Sequence, residues 1–314
     1  MLLSHGLAAI TGPVALTIGN FDGVHHGHQA LLARLIEAAR ARSLPACVLT
    51  FEPHPREFFN PAQAPARLTS LRDKCELLTT FGIDRVHVCN FDAAFSSLSA
   101  QHFIEQVVHR GLGAQWLIIG HDFHFGAKRQ GNVALMKKAG RELDFEVEIM
   151  QAVTLGTQRV SSSAVRAALA RGDLTMAEKF LGRHYSISGH VVHGNKTGRE
   201  LGFPTANVQL KHPPALAGIY AVEFLVDNVK HHAVASLGTR PTMVSGGEPV
   251  LEVYIFDFDR DIYGGHVKVD FLHKLRDEEK YPDRAALVAQ ITKDVADARM
   301  FFRQRDSGVQ ISRA

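Results

Sequence analysis

The stretch "TIGNFDGVHHGHQALL", Thr17 to Leu32, sets His25, His26 and His28 between an apolar run and the start of a helical pattern. Imidazoles bind metals, and they also donate hydrogen bonds to charge growing on a phosphoryl group, so the cluster admits two chemistries. A strand, a glycine-containing turn and then a helix bring backbone N–H groups and the positive helix end toward an anion. His25 and His28 are three apart and share a side if the helix starts here, whereas His26 reads as a loop surface residue. Zinc competes for the cluster. HExxH is absent, however, and no Cys or Glu stands at ligand spacing.

A second set lies in "GHVVHGNKTGRELGFPTANV". Gly189 to Lys196 misses the GxxxxGK[ST] spacing by one residue, and no long helix follows, which excludes a Walker A loop. What remains is a glycine-rich turn with Lys196 and Arg199, then Thr205 and Asn207 two apart. On an extended chain these two face the same way, so a hydroxyl and an amide oxygen can reach one magnesium. Exposed polar strand positions are the competing reading. Glu252, in the apolar run "VLEVYIF", is a candidate general base, since burying an unpaired carboxylate is costly. Alternation offers the other reading, with Glu252, Tyr254 and Phe256 on a solvent face and Leu251 and Val253 inward.

The elements that must hold these residues follow two rhythms. The 314 residues suit about two domains, and 46% hydrophobic with 21% charged residues is a globular balance. From Pro13 to about Met150, strand-like runs ("VALTIG", "ACVLTF", "RVHVCNF", "WLIIG", "FEVEIM") alternate with helical ones near 28–42, 70–81, 99–110 and 130–139. That order predicts a doubly wound α/β parallel sheet, Rossmann-like, with ligand-binding loops at the carboxyl ends of its strands. "NFDGVHHGH", "EPHP", "FD" and "HDFHFG" are those loops, and they should share one cleft. "NPAQAPARL" at 60–68 reads as a surface loop. From about Tyr185 come regularly spaced strands without helices between them, an antiparallel β-barrel or sandwich, closed by a C-terminal helix near 283–304. Ala286, Leu287, Ile291, Val295 and Met300 form that helix's apolar series. The boundary falls near 184, giving domains 1–184 and 185–314.

Within this frame the motifs resemble a known family. "GNFDGVHHGHQALL" is similar to the HxGH nucleotidyltransferase signature of the bacterial bifunctional riboflavin kinase/FAD synthetases, and "FEPHPREFF", "IIGHDFHFG" and "SSSAVRAAL" resemble that family's other adenylyltransferase motifs in the same order. "GRELGFPTAN", "GIYAV", "GTRPT", "LEVYIFDFDRDIYG" and "LRDEEKY" resemble its riboflavin kinase motifs. The resemblance implies that the N-terminal domain adenylates FMN with ATP to FAD and pyrophosphate, and that a six-stranded C-terminal barrel phosphorylates riboflavin with ATP and Mg²⁺ or another divalent ion. His25 and His28 would then stabilise the α-phosphate. Gly19, Asn20, Phe21, Asp22 and Gly23 would shape the loop, and Ser162, Ser163 and Arg166 would hold the triphosphate. Read alone, the serines are also an ordinary helix N-cap. Arg129 and Asn132 would seat nucleotide or flavin, with Phe203 and Arg276 at the flavin of the kinase. Gly194, Lys196, Gly198 and Arg199 would bind its nucleotide, Thr205 and Asn207 its metal, and Glu252 would be its base.

Some positions depart from the family pattern: His124 replaces arginine, Asn132 aspartate, Ser236 asparagine and Met243 phenylalanine. A class I aminoacyl-tRNA synthetase fragment would also carry HxGH, but no KMSKS-like string occurs and the second half stays unexplained. A nucleic-acid-binding barrel on a degenerate nucleotide-binding domain is disfavoured by a net charge of +3 and by a lone Trp116 in the first half. The expected partners are small molecules, without nucleic acid or membrane, in a monomer or weak homo-oligomer. Cys47, Cys75 and Cys89 lack CxxC spacing, and the start "MLLSHGLAAI" has no basic n-region, so a reducing cytoplasmic setting is expected.

Overall fold

The computed structural model describes residues 1–6, 12–194, 197–239 and 249–307. The chain divides into two compact units, Met1–Pro65 with Thr69–Ser162, and Ala66–Leu68 with Ser163–Ala314.

In the first unit β1 (Leu2–His5), β2 (Val14–Ile18), β3 (Ala46–Glu52), β4 (Arg85–Asn90), β5 (Ala114–Gly120) and β6 (Glu146–Met150) form one parallel sheet in the order β1-β4-β3-β2-β5-β6. Alternate side chains supply two cores. Leu16, Leu49, Leu117 and Ile119 face one side, while Ala15, Val48, Val86 and Trp116 face the other. Helices α1 (His26–Ala41) and α2 (Leu71–Thr80) cover the Trp116 face. A π-helix at Phe103–Gly111 and helix α3 (Val133–Glu142) cover the other. Strands buried on both faces need apolar residues at every position, which is why they read as unbroken runs. Strand order reverses at β2, which has β3 on one side and β5 on the other. The histidine loop therefore opens at the topological switch point.

Two sequence expectations need correction here. β1 was not expected: Leu2 and Leu3 are 58% and 45% exposed on an edge strand, so it carries no buried periodicity. The helix expected over 99–110 is a short turn at Ala100–His102 running into the π-helix.

Helices α4 (Ser162–Ala170) and α5 (Leu174–Leu181) come next in the chain, and α5 packs on the barrel. Most of this helix pair thus belongs by contact to the second unit, although the expected boundary near 184 lies beyond it. Strands β7 (Tyr185–Val192), β8 (Ala206–Val208), β9 (Gly218–Val226), β10 (Val229–Thr239), β11 (Pro249–Ile255) and β12 (His266–Arg276) close an antiparallel barrel in the order β8-β11-β10-β9-β12-β7. Leu251, Val253, Val222 and Phe224 are fully buried. On the barrel wall Ile219, Ala221, Val234 and Phe256 pack against Ala298 and Phe302 of α6 (Arg284–Asp306). The apolar seam of α6 therefore runs through Val295, Ala298 and Phe302, and Met300 lies outside it, 55% exposed.

One buried ion pair fastens this helix. Arg276 at the end of β12 donates from Nε and Nη2 to the two carboxylate oxygens of Asp294, at 2.8 and 2.6 Å. A planar guanidinium meets a carboxylate in this way with two parallel bonds. Removing one partner leaves a buried charge uncompensated. Asp294→Ala is therefore expected to lower the barrel's unfolding free energy by about 3 kcal/mol in denaturant titrations; a loss near zero would show that α6 is held otherwise.

Candidate functional site

The first site starts from the cap of α1. His25 is the N-cap residue, in extended conformation, and its Nδ1 accepts the backbone N–H of His28 at 3.3 Å. A backbone amide can only donate, so Nδ1 is an acceptor and the neutral ring carries its proton on Nε2. The His25 and His28 rings stack with centroids 3.7 Å apart and 14° between planes. Phe21 lies against His28 at 5.0 Å. Burial lowers the His25 pKa to about 4, and burial, then the His25 and Lys74 charges, drive that of His28 well below its usual value. Both imidazoles are therefore neutral at pH 7. Gly27 is required by this stack, since an added Cβ would stand 3.1 Å from His25 Cε1 and 3.2 Å from Nδ1.

The loop leading there is held rigidly. Phe21 and Val24 are buried yet have φ of 48° and 40°, a left-handed backbone that costs free energy and persists where surrounding contacts enforce it. Asp22 Oδ1 accepts from both the backbone and the hydroxyl of Thr69, and Gly23 N–H donates to that hydroxyl at 3.0 Å. Ser162 Oγ donates to the Asp22 carbonyl at 2.8 Å. Asp22 and Ser162 thus brace the loop. At Gly19 a Cβ would meet the Phe21 ring at 3.1 Å. Asn20 turns its Oδ1 into the protein, buried and without a hydrogen-bond partner. Ser163 follows on α4, exposed, and Arg166 donates from Nε to the Ala66 carbonyl at 2.6 Å.

After β5 the chain forms an exposed basic loop. Lys128 and Arg129 have φ of 53° and 58°, and the Arg129 side chain is exposed. His124 Nδ1 bonds the Asp122 carbonyl. Asn132, expected at the nucleotide or flavin, caps α3: its Oδ1 accepts from Leu135 N–H at 3.0 Å.

In the barrel the expected residues converge on the outer face. Asn207 of β8 pairs in register with Glu252 of β11, and Glu252 pairs across with Ser236. Leu251 and Val253 point inward, so the alternation reading is right about direction. The outward face nevertheless carries Asn207 next to Glu252. The glycine turn wraps the two metal candidates: a Cβ on Gly194 would strike the Asn207 side chain at 2.4 Å, and one on Gly198 would meet Thr205 Oγ1 at 3.2 Å. Phe203 meets Tyr254 edge to face at 5.4 Å. Arg199 and Thr205 line a cleft of about 270 Å³ with Ile255, Phe258 and Tyr263. Lys196 lies outside the described residues. Arg276, expected at the flavin, donates to Asp294 and to the Asp277 carbonyl and so also anchors α6.

Sequence reasoning missed an aromatic wall. Phe51 and Phe91, from the ends of β3 and β4, and Phe58 and Phe59, on the short helix Pro55–Phe59 that follows β3, meet edge to face at 5.3–5.8 Å, and Phe59 is 66% exposed. "FEPHPREFF" contains three of them, which was the available signal. Lys74, buried on α2, was also missed.

A doubly wound sheet with stacked histidines at its switch point, followed by a closed barrel with an amide and a carboxylate in register, defines a nucleotidyltransferase joined to a barrel kinase. The family model of FAD synthetase matches residues 8–164 and that of riboflavin kinase matches residues 181–302. Bifunctional riboflavin kinase/FMN adenylyltransferases are similar along nearly the whole chain. The one from Haemophilus influenzae is 46% identical, covering 95% of this chain and 97% of its own. That of Escherichia coli K12 is 47% identical, covering 91% and 92%. A crystal structure from Streptococcus pneumoniae described as a macrolide-efflux protein has a TM-score of 0.80 at 31% identity, covering 95% of this chain and 99% of that one. No helix among the described residues is long and apolar enough to cross a membrane. The chain belongs to the bifunctional riboflavin kinase/FMN adenylyltransferase family, with a FAD synthetase domain ahead of a riboflavin kinase domain.

The packing of Gly27 against His25 gives a test. Gly27→Ala is expected to displace the His25 ring by a few tenths of an ångström and to slow FMN adenylylation roughly tenfold, with riboflavin phosphorylation unchanged. Steady-state rates of both steps check it; an unaltered adenylylation rate would mean that ring position is not critical.

Proposed function

We propose that residues 185–314 convert riboflavin and ATP to FMN, and that residues 1–184 convert FMN and ATP to FAD and pyrophosphate. In the second step an FMN phosphate oxygen attacks the α-phosphorus of ATP, and the bond to the bridging oxygen of the leaving pyrophosphate breaks. No covalent enzyme intermediate is needed, so the protein's work is positioning and charge stabilisation. The carrying observation is the stacked pair at the helix N-terminus: His25 presents Nε2–H as a donor, beside His28 and the positive end of α1. Ser162, Ser163 and Arg166 take the triphosphate in this reading. The isoalloxazine rests against Phe59 and its neighbours, and Arg129 and Asn132 help to seat the nucleotide or flavin.

In the kinase step Glu252 accepts the proton of the ribityl 5′-hydroxyl as its oxygen attacks the γ-phosphorus of ATP, and the bond from that phosphorus to the β–γ bridging oxygen breaks to release ADP. Gly194, Lys196, Gly198 and Arg199 hold the nucleotide, and Phe203 adjoins the flavin. Thr205 and Asn207 fit a divalent ion such as Mg²⁺. They are hard oxygen donors two residues apart, Thr205 just before β8 and Asn207 on it, and an ion shared with substrate phosphates needs few protein ligands. Among the described residues no cluster of three or more His, Cys, Asp or Glu side chains can hold a metal by itself. When bound, the ion supplies charge neutralisation between the phosphates.

The three cysteines are buried and free, which suits a reducing cytoplasm. The reading gives the protein small-molecule partners alone, without nucleic acid or membrane, and a monomeric or weakly associating state.

Chromatography of riboflavin, FMN and FAD tests both halves at once. Glu252→Ala is expected to lower FMN formation by about a hundredfold or more and to leave FMN-to-FAD conversion intact, and His28→Ala to do the reverse. Loss of both activities in either folded variant would overturn the assignment of steps to domains.

A further inference from the structure

The segment that leaves β12 crosses the barrel wall toward the kinase site. Gly218 of β9 pairs in register with Leu237 of β10, and a Cβ on Gly218 would stand 2.7 Å from the Arg276 carbonyl oxygen. One residue past Leu237, Gly238 lies beneath the Glu278 carboxyl group, where a Cβ would overlap both oxygens. Two glycines on neighbouring strands thus leave the wall flat under Arg276–Glu278.

The crossing delivers a carboxyl group to the face that carries Glu252. Ser236 and Gly238 are two apart and share the outer face, since Leu237 between them is fully buried. Ser236 pairs with Glu252, so Gly238 and Glu252 are diagonal neighbours, about 7–8 Å apart and within reach of long side chains. Asn207 flanks Glu252 from the opposite strand, β8. The metal candidate and Glu278 therefore lie on opposite sides of the base.

Glu278 stands apart from the other acids of its segment. Lys274 pairs with Asp277 and Tyr281 donates to Glu279, whereas Glu278 has no hydrogen-bond or ion-pair partner among the described residues. Partial burial against the wall raises its carboxyl pKa, opposed by the Arg276 charge. An ionised carboxylate only accepts hydrogen bonds, so it calls for a donor. Two carboxylates on one face repel a phosphate. The ribityl chain brings neutral donors instead, hydroxyls on the carbons that precede the 5′-hydroxyl.

We propose that Glu278 accepts a hydrogen bond from a secondary hydroxyl of the ribityl chain and so makes the kinase step specific for a polyhydroxylated flavin. The inference rests on the kinase reading above. The ribityl chain then runs from Glu252 toward β10, away from Asn207 on β8.

The experiment follows phosphorylation by the full chain of riboflavin and of its 2′-, 3′- and 4′-deoxy analogues. In Glu278→Ala the riboflavin KM is expected to rise at least about tenfold, with kcat and the ATP KM within about threefold of wild type. Glu278→Gln, which keeps an acceptor oxygen, is expected to reverse most of that rise. Wild type is expected to lose at least about tenfold in kcat/KM with one of the three analogues, and Glu278→Ala to lose less than about threefold with the same one. FMN-to-FAD conversion and a thermal melt monitor folding. An unchanged riboflavin KM in Glu278→Ala would overturn the proposal, as would a wild type that uses all three analogues as well as riboflavin, or a variant that keeps the wild-type discrimination. If Glu278→Ala does not fold, Gly238→Ala replaces it. Pushing the carboxyl group off the wall is then expected to raise the same KM severalfold, and no change would again overturn the proposal. A wild-type chain that forms no FMN contradicts the kinase reading itself, before any variant is compared.

Discussion

The amide of His28 points at Nδ1 of His25, and the rest of the first site is arranged around that contact. It closes the first turn of α1 with a ring rather than the usual serine or aspartate, and it fixes the His25 tautomer. With the proton on Nε2, the ring can donate outward while remaining uncharged. Burial keeps both rings neutral, so neither repels the other across a 3.7 Å stack. Gly27 leaves room for that stack, the strained backbone at Phe21 and Val24 aims the loop, and Thr69 and Ser162 brace it through Asp22. The parallel sheet matters because its switch point leaves the end of β2 open between β3 and β5.

The barrel reaches a comparable result with register instead of a cap. Antiparallel pairing sets Asn207 opposite Glu252, and no loop is needed to bring the two together. Gly194 and Gly198 then allow the preceding turn to close over Asn207 and Thr205 at distances where a Cβ would collide. The inner face stays apolar, and α6 covers part of the outer wall, held by the Arg276–Asp294 pair.

Much of this was legible in the sequence because buried strands and glycine turns leave periodic or positional marks. The alternation of strand and helix gave the sheet, and HxGH placed two histidines one helical turn apart. What stayed hidden carries no such mark. β1 is an exposed edge strand. Lys74 sits in an amphipathic helix where a lysine reads as surface. Phe59 and Phe91 are separated in sequence and meet through the sheet. Glu252 shows the limit from another side, since its outward direction followed from alternation but its neighbour Asn207 follows from strand pairing. Asn132 also caps α3, which begins at the next residue, and Arg276 also anchors α6 through Asp294, a pairing that only the fold brings together.

His25 and His28 form a neutral, stacked pair whose His25 tautomer is set by the helix cap. Nitrogen-15 NMR of the imidazoles in the free protein measures this directly through a pH titration. The account predicts both rings neutral at pH 7, His25 protonated on Nε2 alone, and His25 titrating near pH 4. A proton on His25 Nδ1, or either ring charged at neutral pH, would contradict it.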